Sequence, residues 1–164
     1  MDIRIRPMIE ADAGRVLSVY AEGIEDGQAT FETACPDWAG WDAHHLREGR
    51  MVAESEGTVI GWAALSPVSS RSCYRGVAEV SIYMARSARG QGVGKLLLAA
   101  LIEAAEQYGF WTLQGGTFED NKASLAIQRA FDFRVVGRRE RIAQRDGVWK
   151  STILTERRSR KNGV

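Results

Sequence analysis

The chain has 164 residues, 45% hydrophobic and 26% charged, and its 22 Lys and Arg against 21 Asp and Glu leave a formal net charge of +1. That length suits one domain with its own core, and near-neutrality offers no bulk field for nucleic acid or a membrane surface. Cys35 and Cys73 make neither a disulfide framework nor a zinc pattern. The opening MDIRIRPMIE holds no apolar signal region and no run is long enough to span a bilayer, so a cytoplasmic protein without metal, nucleic-acid or membrane partners is expected.

DIRIRP alternates and reads as a short strand stopped by Pro7. In EADAGRVLSVYAEGI, Val16, Leu17, Val19, Tyr20 and Ile24 recur at helical spacing and predict a first helix. DGQATFETACPDW is polar, broken by Pro36, and reads as a loop. WAGWDAHHLREGR reads as a second helix with Trp38, Trp41, His45 and Leu46 on one side. RMVAESEG and TVIGWAALSPV flank a Glu56-Gly57 turn and form a hairpin. RSCYRG is a loop and VAEVSIYMA a third strand, with Ala78, Val80, Ile82 and Met84 facing one way and Glu79, Ser81 and Tyr83 the other. A glycine-rich loop then leads into a long apolar-periodic helix ending near Phe110. FWTLQGGTF is a strand, and NKASLAIQRAFDF a helix that Asp120 or Asn121 caps. RVVGRRERIA and VWKSTILTER close a hairpin around Arg145-Asp146-Gly147, where Asp-Gly supplies the positive φ of a tight turn. This order predicts an α+β fold with a mixed, mostly antiparallel sheet, since a doubly wound fold alternates more strictly. One domain over residues 1–157 and a flexible basic tail over 158–164 are expected.

Gly90, Gly92 and Gly94 stand at every second position directly ahead of the long helix. Glycine lets backbone N–H groups approach a ligand closely, and a helix start carries unpartnered N–H groups and partial positive charge, so the junction suits an anion. Gly94-Lys95 fits the end of a P-loop, but Leu96 replaces the hydroxyl residue and Arg89 the first glycine; a G-x-G-x-x-G fingerprint fails at Lys95. Arg89, Gly92 and Gly94 form R-x-x-G-x-G, which resembles the coenzyme A pyrophosphate loop of the GNAT N-acetyltransferases. The resemblance covers nearly the whole chain. It is closest to the branch that acetylates phosphinothricin and methionine sulfoximine, through ATFET, SSRSCYRGV and AEVSIYM. WAALSPVSSRSCYRGVAEVS also resembles the arsenic-operon members of that branch, which act on arsinothricin.

The resemblance implies a single GNAT-type domain, acetyl-CoA as cosubstrate and a homodimer. It implies that Arg89, Gly90, Gln91, Gly92, Val93, Gly94 and Lys95 wrap the pyrophosphate, with Lys95 directed to phosphate or to solvent. It implies that Ile82, Tyr83 and Met84 line the thioester and pantetheine, with Asn121 and Ser124 as further cofactor contacts. Amide formation needs a neutral amine, whereas an α-amino group, with a pKa of about 7.7–8.0 at a chain terminus, is largely protonated at pH 7. A carboxylate accepts that proton directly or through water. Glu79, on an otherwise apolar strand, is the candidate base, and the branch carries a Glu at the matching position. Arg71 and Arg75 are candidate donors to the carboxylate and acidic head of an amino-acid substrate. Tyr74 can add a hydroxyl, Phe31 and Glu32 resemble the loop that covers the substrate, and Ser81 shares the face of Glu79.

Two positions depart from the family pattern. Gln128 stands where many members have Tyr or His, and glutamine cannot act as an acid, so a water or Tyr83 would have to protonate the leaving thiolate. Asp132 stands where the family has Gly, so the turn after that helix is expected to shift. His44 and His45 are adjacent and point to different faces, which argues against a shared metal, and the five tryptophans read as core or dimer contacts. The implied activity is acetyl transfer to the α-amino group of a small acidic amino-acid analogue. Direct attack is expected because no Cys or Ser lies in a nucleophile–base pattern. The alternatives are a protein N-terminal or polyamine acetyltransferase, and an acyl-CoA-binding module that has lost the chemistry.

Overall fold

The computed structural model describes residues 2–164. Its elements are β1 (Arg4–Pro7), α1 (Ala13–Asp26), α2 (Trp38–His44), β2 (Met51–Ser55), β3 (Thr58–Pro67), β4 (Val77–Met84), α3 (Val93–Gln107), β5 (Thr112–Phe118), α4 (Lys122–Ala130), β6 (Arg134–Arg145) and β7 (Val148–Arg158). They form a seven-stranded sheet in the order β1-β2-β3-β4-β5-β7-β6, antiparallel except for the β4/β5 pair. The α+β class and the order of elements are those the sequence predicts.

Both tight turns follow from local chemistry. Glu56-Gly57 between β2 and β3 and Asp146-Gly147 between β6 and β7 have positive φ at both residues, which is what a two-residue hairpin turn requires. Period-2 alternation then assigns the faces of the sheet. Leu65 of β3 meets Leu101 of α3 at the position of Gly49, and a Cβ at Gly61 would stand 3.0 Å from Leu97. Val93, Leu97, Leu98 and Leu101 of α3 are fully buried on that side. Each such side chain contributes about 1.5–3 kcal/mol of burial. The other face carries Trp62, which packs edge-on against Trp41 of α2 (5.2 Å) and Tyr20 of α1 (5.6 Å).

Three expectations are corrected. The second helix stops at His44, because His45 is extended (φ −110°, ψ 143°) and the Arg50 guanidinium takes the carbonyls of Asp42, His45 and Leu46 that a longer helix would use. The turn after α4 is not displaced: Asp132 itself adopts φ 66°, and Phe133 N–H returns to Gln128 C=O at 3.1 Å. Asp is among the residues that visit this region, so glycine is not required there. The C-terminal residues do not stand off as a solvated tail. Ser159 is buried, its N–H bonds Trp111 C=O, and Asn162 Nδ2 donates to the carbonyls of Glu106 and Phe110.

His45 is buried between Trp41 and Trp62, with Nδ1 2.8 Å from Trp41 C=O. Burial lowers its pKa to about 4, with the carbonyl contact opposing and the His44 and Arg50 charges adding to the fall. The folded state therefore holds the ring neutral. Its contribution is present above the ordinary value of 6.5 and is lost as pH falls toward 4, on the order of 3 kcal/mol in all. Thermal unfolding between these pH values should show Tm dropping with acidification, and His45→Gln should flatten that slope.

Candidate active site

β4 pairs with β3 along its length, from Ala78 to Met84, but with β5 only at Val77, Ala78 and Glu79. Beyond Gln114, β5 continues against β7 to Phe118. The two parallel strands thus separate, and the backbone edge of β4 from Val80 to Met84 has no strand beside it on that side. Two glycines of β5 flank the point of separation. A Cβ at Gly115 would stand 2.7 Å from Gln128 Oε1 on the α4 side, and one at Gly116 would stand 3.4 Å from Glu79 Oε1 on the other.

The predicted alternation of β4 holds. Met84 faces α3, where its Sδ and Cε approach the Gly94 position at 3.2 Å, and Ile82 packs against the core. Glu79, Ser81 and Tyr83 share the α1 face. Glu79 is half-buried and accepts a hydrogen bond from Gln114 Nε2 at 3.3 Å. Tyr83 stacks on Trp62 (5.0 Å) and tilts against Tyr20 (4.8 Å). Gly23 of α1 permits this, since a Cβ there would stand 2.7 Å from the Tyr83 ring. Burial pushes the Tyr83 hydroxyl well above the usual phenol range, with the Glu32 and Glu79 charges acting in the same direction and Thr30 in the opposite one. Tyr83 therefore keeps its proton at neutral pH and is a donor.

The glycine loop closes the end of the cleft. Gly90 and Gly92 have φ of 76° and 80°, conformations that side chains rarely adopt. The first hydrogen bond of α3 runs from Leu96 N–H to Gly92 C=O, so the amides of Val93, Gly94 and Lys95 precede it without an intrahelical partner. Gln91 is exposed and its side chain folds back on Ser87 C=O at 3.0 Å. Lys95 is exposed and makes no ion pair among the described residues. Arg89 is half-exposed and pairs with Asp26 at the end of α1, as does Arg86. Glycine geometry, free amides and adjacent guanidinium together fit a diphosphate.

Asn121 caps α4, its Oδ1 accepting from Ser124 N–H at 3.3 Å and its Nδ2 donating to Gln28 C=O at 3.3 Å. Ser124 Oγ and Thr117 Oγ1 accept from Gln128 Nε2, and Thr155 Oγ1 donates to Gln128 Oε1. Gln128 is thus a buried crosslink between α4, β5 and β7. Phe31 lies edge-on to Phe118 at 4.7 Å, and Glu32 is exposed beside it. Arg71, Tyr74 and Arg75 are exposed in the β3–β4 loop, at the opposite end of β4 from the glycine loop. Arg71 lies over Tyr74 (5.5 Å) and Arg75 over Trp111 (5.4 Å), and neither makes an ion pair among the described residues. The structure brings Tyr20, Thr30, Gln114 and Phe118 to the cleft as well. Thr30 belongs to the ATFET segment, but nothing local in the sequence marks Tyr20, Gln114 or Phe118, because their proximity comes from the packing of α1, β4 and β5.

Residues 17–133 match the acetyltransferase (GNAT) family. The chain is 32% identical over 160 residues to a phosphinothricin N-acetyltransferase of Alcaligenes faecalis, covering 93% of this chain and 81% of that one. It is 28% identical over 155 residues to an L-methionine sulfoximine/L-methionine sulfone acetyltransferase of Pseudomonas paraeruginosa, covering 91% and 90%. A crystal structure of a phosphinothricin acetyltransferase from Sinorhizobium meliloti in complex with acetyl-CoA superposes with a TM-score of 0.91 at 30% identity, covering 99% of this chain and 91% of that one. With a diphosphate-fitting glycine loop at the mouth of a split parallel pair, the chain belongs to the GNAT acetyltransferase family, an enzyme whose cosubstrate is acetyl-CoA.

Proposed function

We propose that the chain transfers the acetyl group to the α-amino group of a small acidic amino-acid analogue of the phosphinothricin, methionine sulfoximine or arsinothricin type, with Glu79 as general base. The observation that carries the reading is the Glu79 carboxylate at the point where β4 and β5 part, on the face it shares with Tyr83. The names of the relatives supply the substrate class. The thioester supplies an acyl carbon open to attack by a neutral amine. Glu79 takes the ammonium proton, directly or through one water, and frees the nitrogen lone pair. The free N–H edge around Ile82 to Met84 receives the negative charge that develops on the carbonyl oxygen. As the C–S bond breaks, Tyr83, which keeps its proton, or a water protonates the thiolate, and the second proton of the attacking nitrogen passes back to that donor; Gln128 has none to give and is fully engaged in hydrogen bonds. Val93, Gly94 and Lys95 amides with Arg89 hold the pyrophosphate, with Ser124 and Asn121 at its α4 side. Arg71 and Arg75, free of carboxylate partners, meet the acidic groups of the substrate, with Tyr74, Phe31, Glu32 and Ser81 around it. Unpaired Cys35 and Cys73 accord with a cytoplasmic setting.

A thiol-release assay with acetyl-CoA against phosphinothricin, its arsenic analogue, methionine sulfoximine, spermidine and a short peptide tests this. Turnover confined to the acidic amino acids is expected; turnover confined to spermidine or peptide rejects the substrate assignment, and CoA binding without any turnover favours a binding module. Glu79→Gln should lower kcat by about a hundredfold or more while leaving the KM for acetyl-CoA unchanged, most severely below the amine pKa. Equal rates for the two proteins across the pH range would sink the base assignment.

The homodimer belongs to the same proposal. β6 is the edge of the sheet, and its hairpin with β7 exposes Val135 (64%), Ile142 (46%), Val148 (60%) and Trp149 (55%). A long edge strand with an apolar patch is a pairing surface. Sedimentation equilibrium should give twice the 18.1 kDa chain mass, and Trp149→Glu should shift it toward one chain; a wild-type protein that sediments as one chain overturns this.

A further inference from the structure

Arg145 closes β6 at the hairpin tip, yet its side chain turns inward and is only 10% exposed. Its Nη2 donates to Ile24 C=O at 2.7 Å, and its Nη1 to the carbonyls of Thr30 (3.1 Å) and Glu32 (2.6 Å). Its Nε donates to the exposed Asp146 carboxylate at 3.1 Å. The guanidinium lies against Gly27, the left-handed residue that ends α1, and a Cβ there would stand 3.9 Å from it. One planar fork therefore joins the negative end of a helix dipole to two carbonyls of the segment that follows it.

That segment has little else to hold it. Residues 27–37 form no helix or strand; Cys35 and Asp37 tie the far end to Leu17 C=O and to the start of α2, but over 27–33 the other hydrogen bonds are Gly27 N–H to Ile24 C=O, Glu32 N–H to Thr30 Oγ1 and Asn121 Nδ2 to Gln28 C=O. Yet the segment forms a wall of the cleft. Thr30 lies beside the hydroxyls of Tyr83 and Tyr20, and Phe31 seats on Phe118. Arg145 makes no hydrogen bond or ion pair with the glycine loop; Arg89 reaches α1 through Asp26, and Arg86 through Glu22, Glu25 and Asp26, none of which bonds Arg145.

We infer that Arg145 is a positioning residue for the amine substrate: its convergent bonds to Ile24, Thr30 and Glu32 fix the 27–32 segment over the Glu79–Tyr83 face, so that it governs amine binding separately from acetyl-CoA binding. This rests on the functional reading above. The work of the residue lies in the fork geometry. Lysine retains the charge but cannot serve three separated carbonyls at once.

The test compares Arg145→Lys and Arg145→Gln with the wild-type chain, using phosphinothricin as the amine. Both variants should raise the KM for the amine by about tenfold while leaving the KM for acetyl-CoA within about twofold and kcat within about threefold. Hydrogen–deuterium exchange should quicken at the amides of residues 27–33 and stay unchanged in β4. An unchanged KM for the amine overturns the inference. So does a lysine variant with wild-type KM, which would leave only the charge, or an equal rise in both KM values with a lowered Tm, which would leave only a structural role. A wild-type chain inert toward every amine refutes the functional reading instead. Exchange then decides the clamp by itself: quickening confined to 27–33 upholds it, and unchanged exchange overturns it.

Discussion

The separation of β4 from β5 is the constraint on which the rest depends. A parallel pair normally satisfies its backbone groups along both strands. Here the pairing ends at Glu79 and Gln114, while the opposite edge of β5 stays paired with β7 from Thr112 to Phe118. That leaves donors on β4 to face a ligand, and it opens a slot at the C-terminal ends of two parallel strands. Gly115 lets α4 press close on one side of β5, while Gly116 keeps the other side open to the Glu79 carboxylate. The buried Gln128 network then pins α4, β5 and β7 together, so that the split is braced from behind.

The two sides of the slot meet at the end of α1. Asp26 pairs with Arg86 and Arg89, and the Arg partners keep its carboxyl below the usual range. Both arginines are nearly half exposed, so solvent and salt screen these pairs. Arg86 holds the other oxygen of the Asp26 carboxylate, so a phosphate that draws Arg89 away leaves that carboxylate still paired. Arg145, by contrast, is largely enclosed, and its guanidinium is spent on three backbone carbonyls. An exposed attachment to the glycine loop and an enclosed one to the 27–32 segment are thus built on one helix terminus.

The aromatic wall adds a different constraint. Tyr83, Tyr20 and Trp62 pack together beneath the cleft, and Trp41 and His45 meet Trp62 edge-on and extend the cluster away from it. Burial holds Tyr83 protonated and His45 neutral for the same reason: a charge on either would lie in a poorly solvated layer. The face that carries Glu79 is therefore backed by groups that donate hydrogen bonds without competing for charge.

Much of this was legible in the sequence. Periodicity gave the order of the elements and the two faces of β4, Glu56-Gly57 and Asp146-Gly147 gave the turns, and Gly90, Gly92 and Gly94 marked the anion loop, because each signal is local to a few residues. Asn121 was legible as a cap for the same reason. The end of α2, the docking of residues 159–163 and the left-handed Asp132 were not, since Arg50, Asn162 and the Phe133 return bond decide them through tertiary contacts or a turn's own closure. Nor was Arg145, whose partner Ile24 lies 121 residues away. Sequence determined which strands and helices form and where the glycine loop stands; only the tertiary structure decided where β4 and β5 part and what holds the loop above them, because strand pairing and buried guanidinium bonds join segments that no local pattern connects.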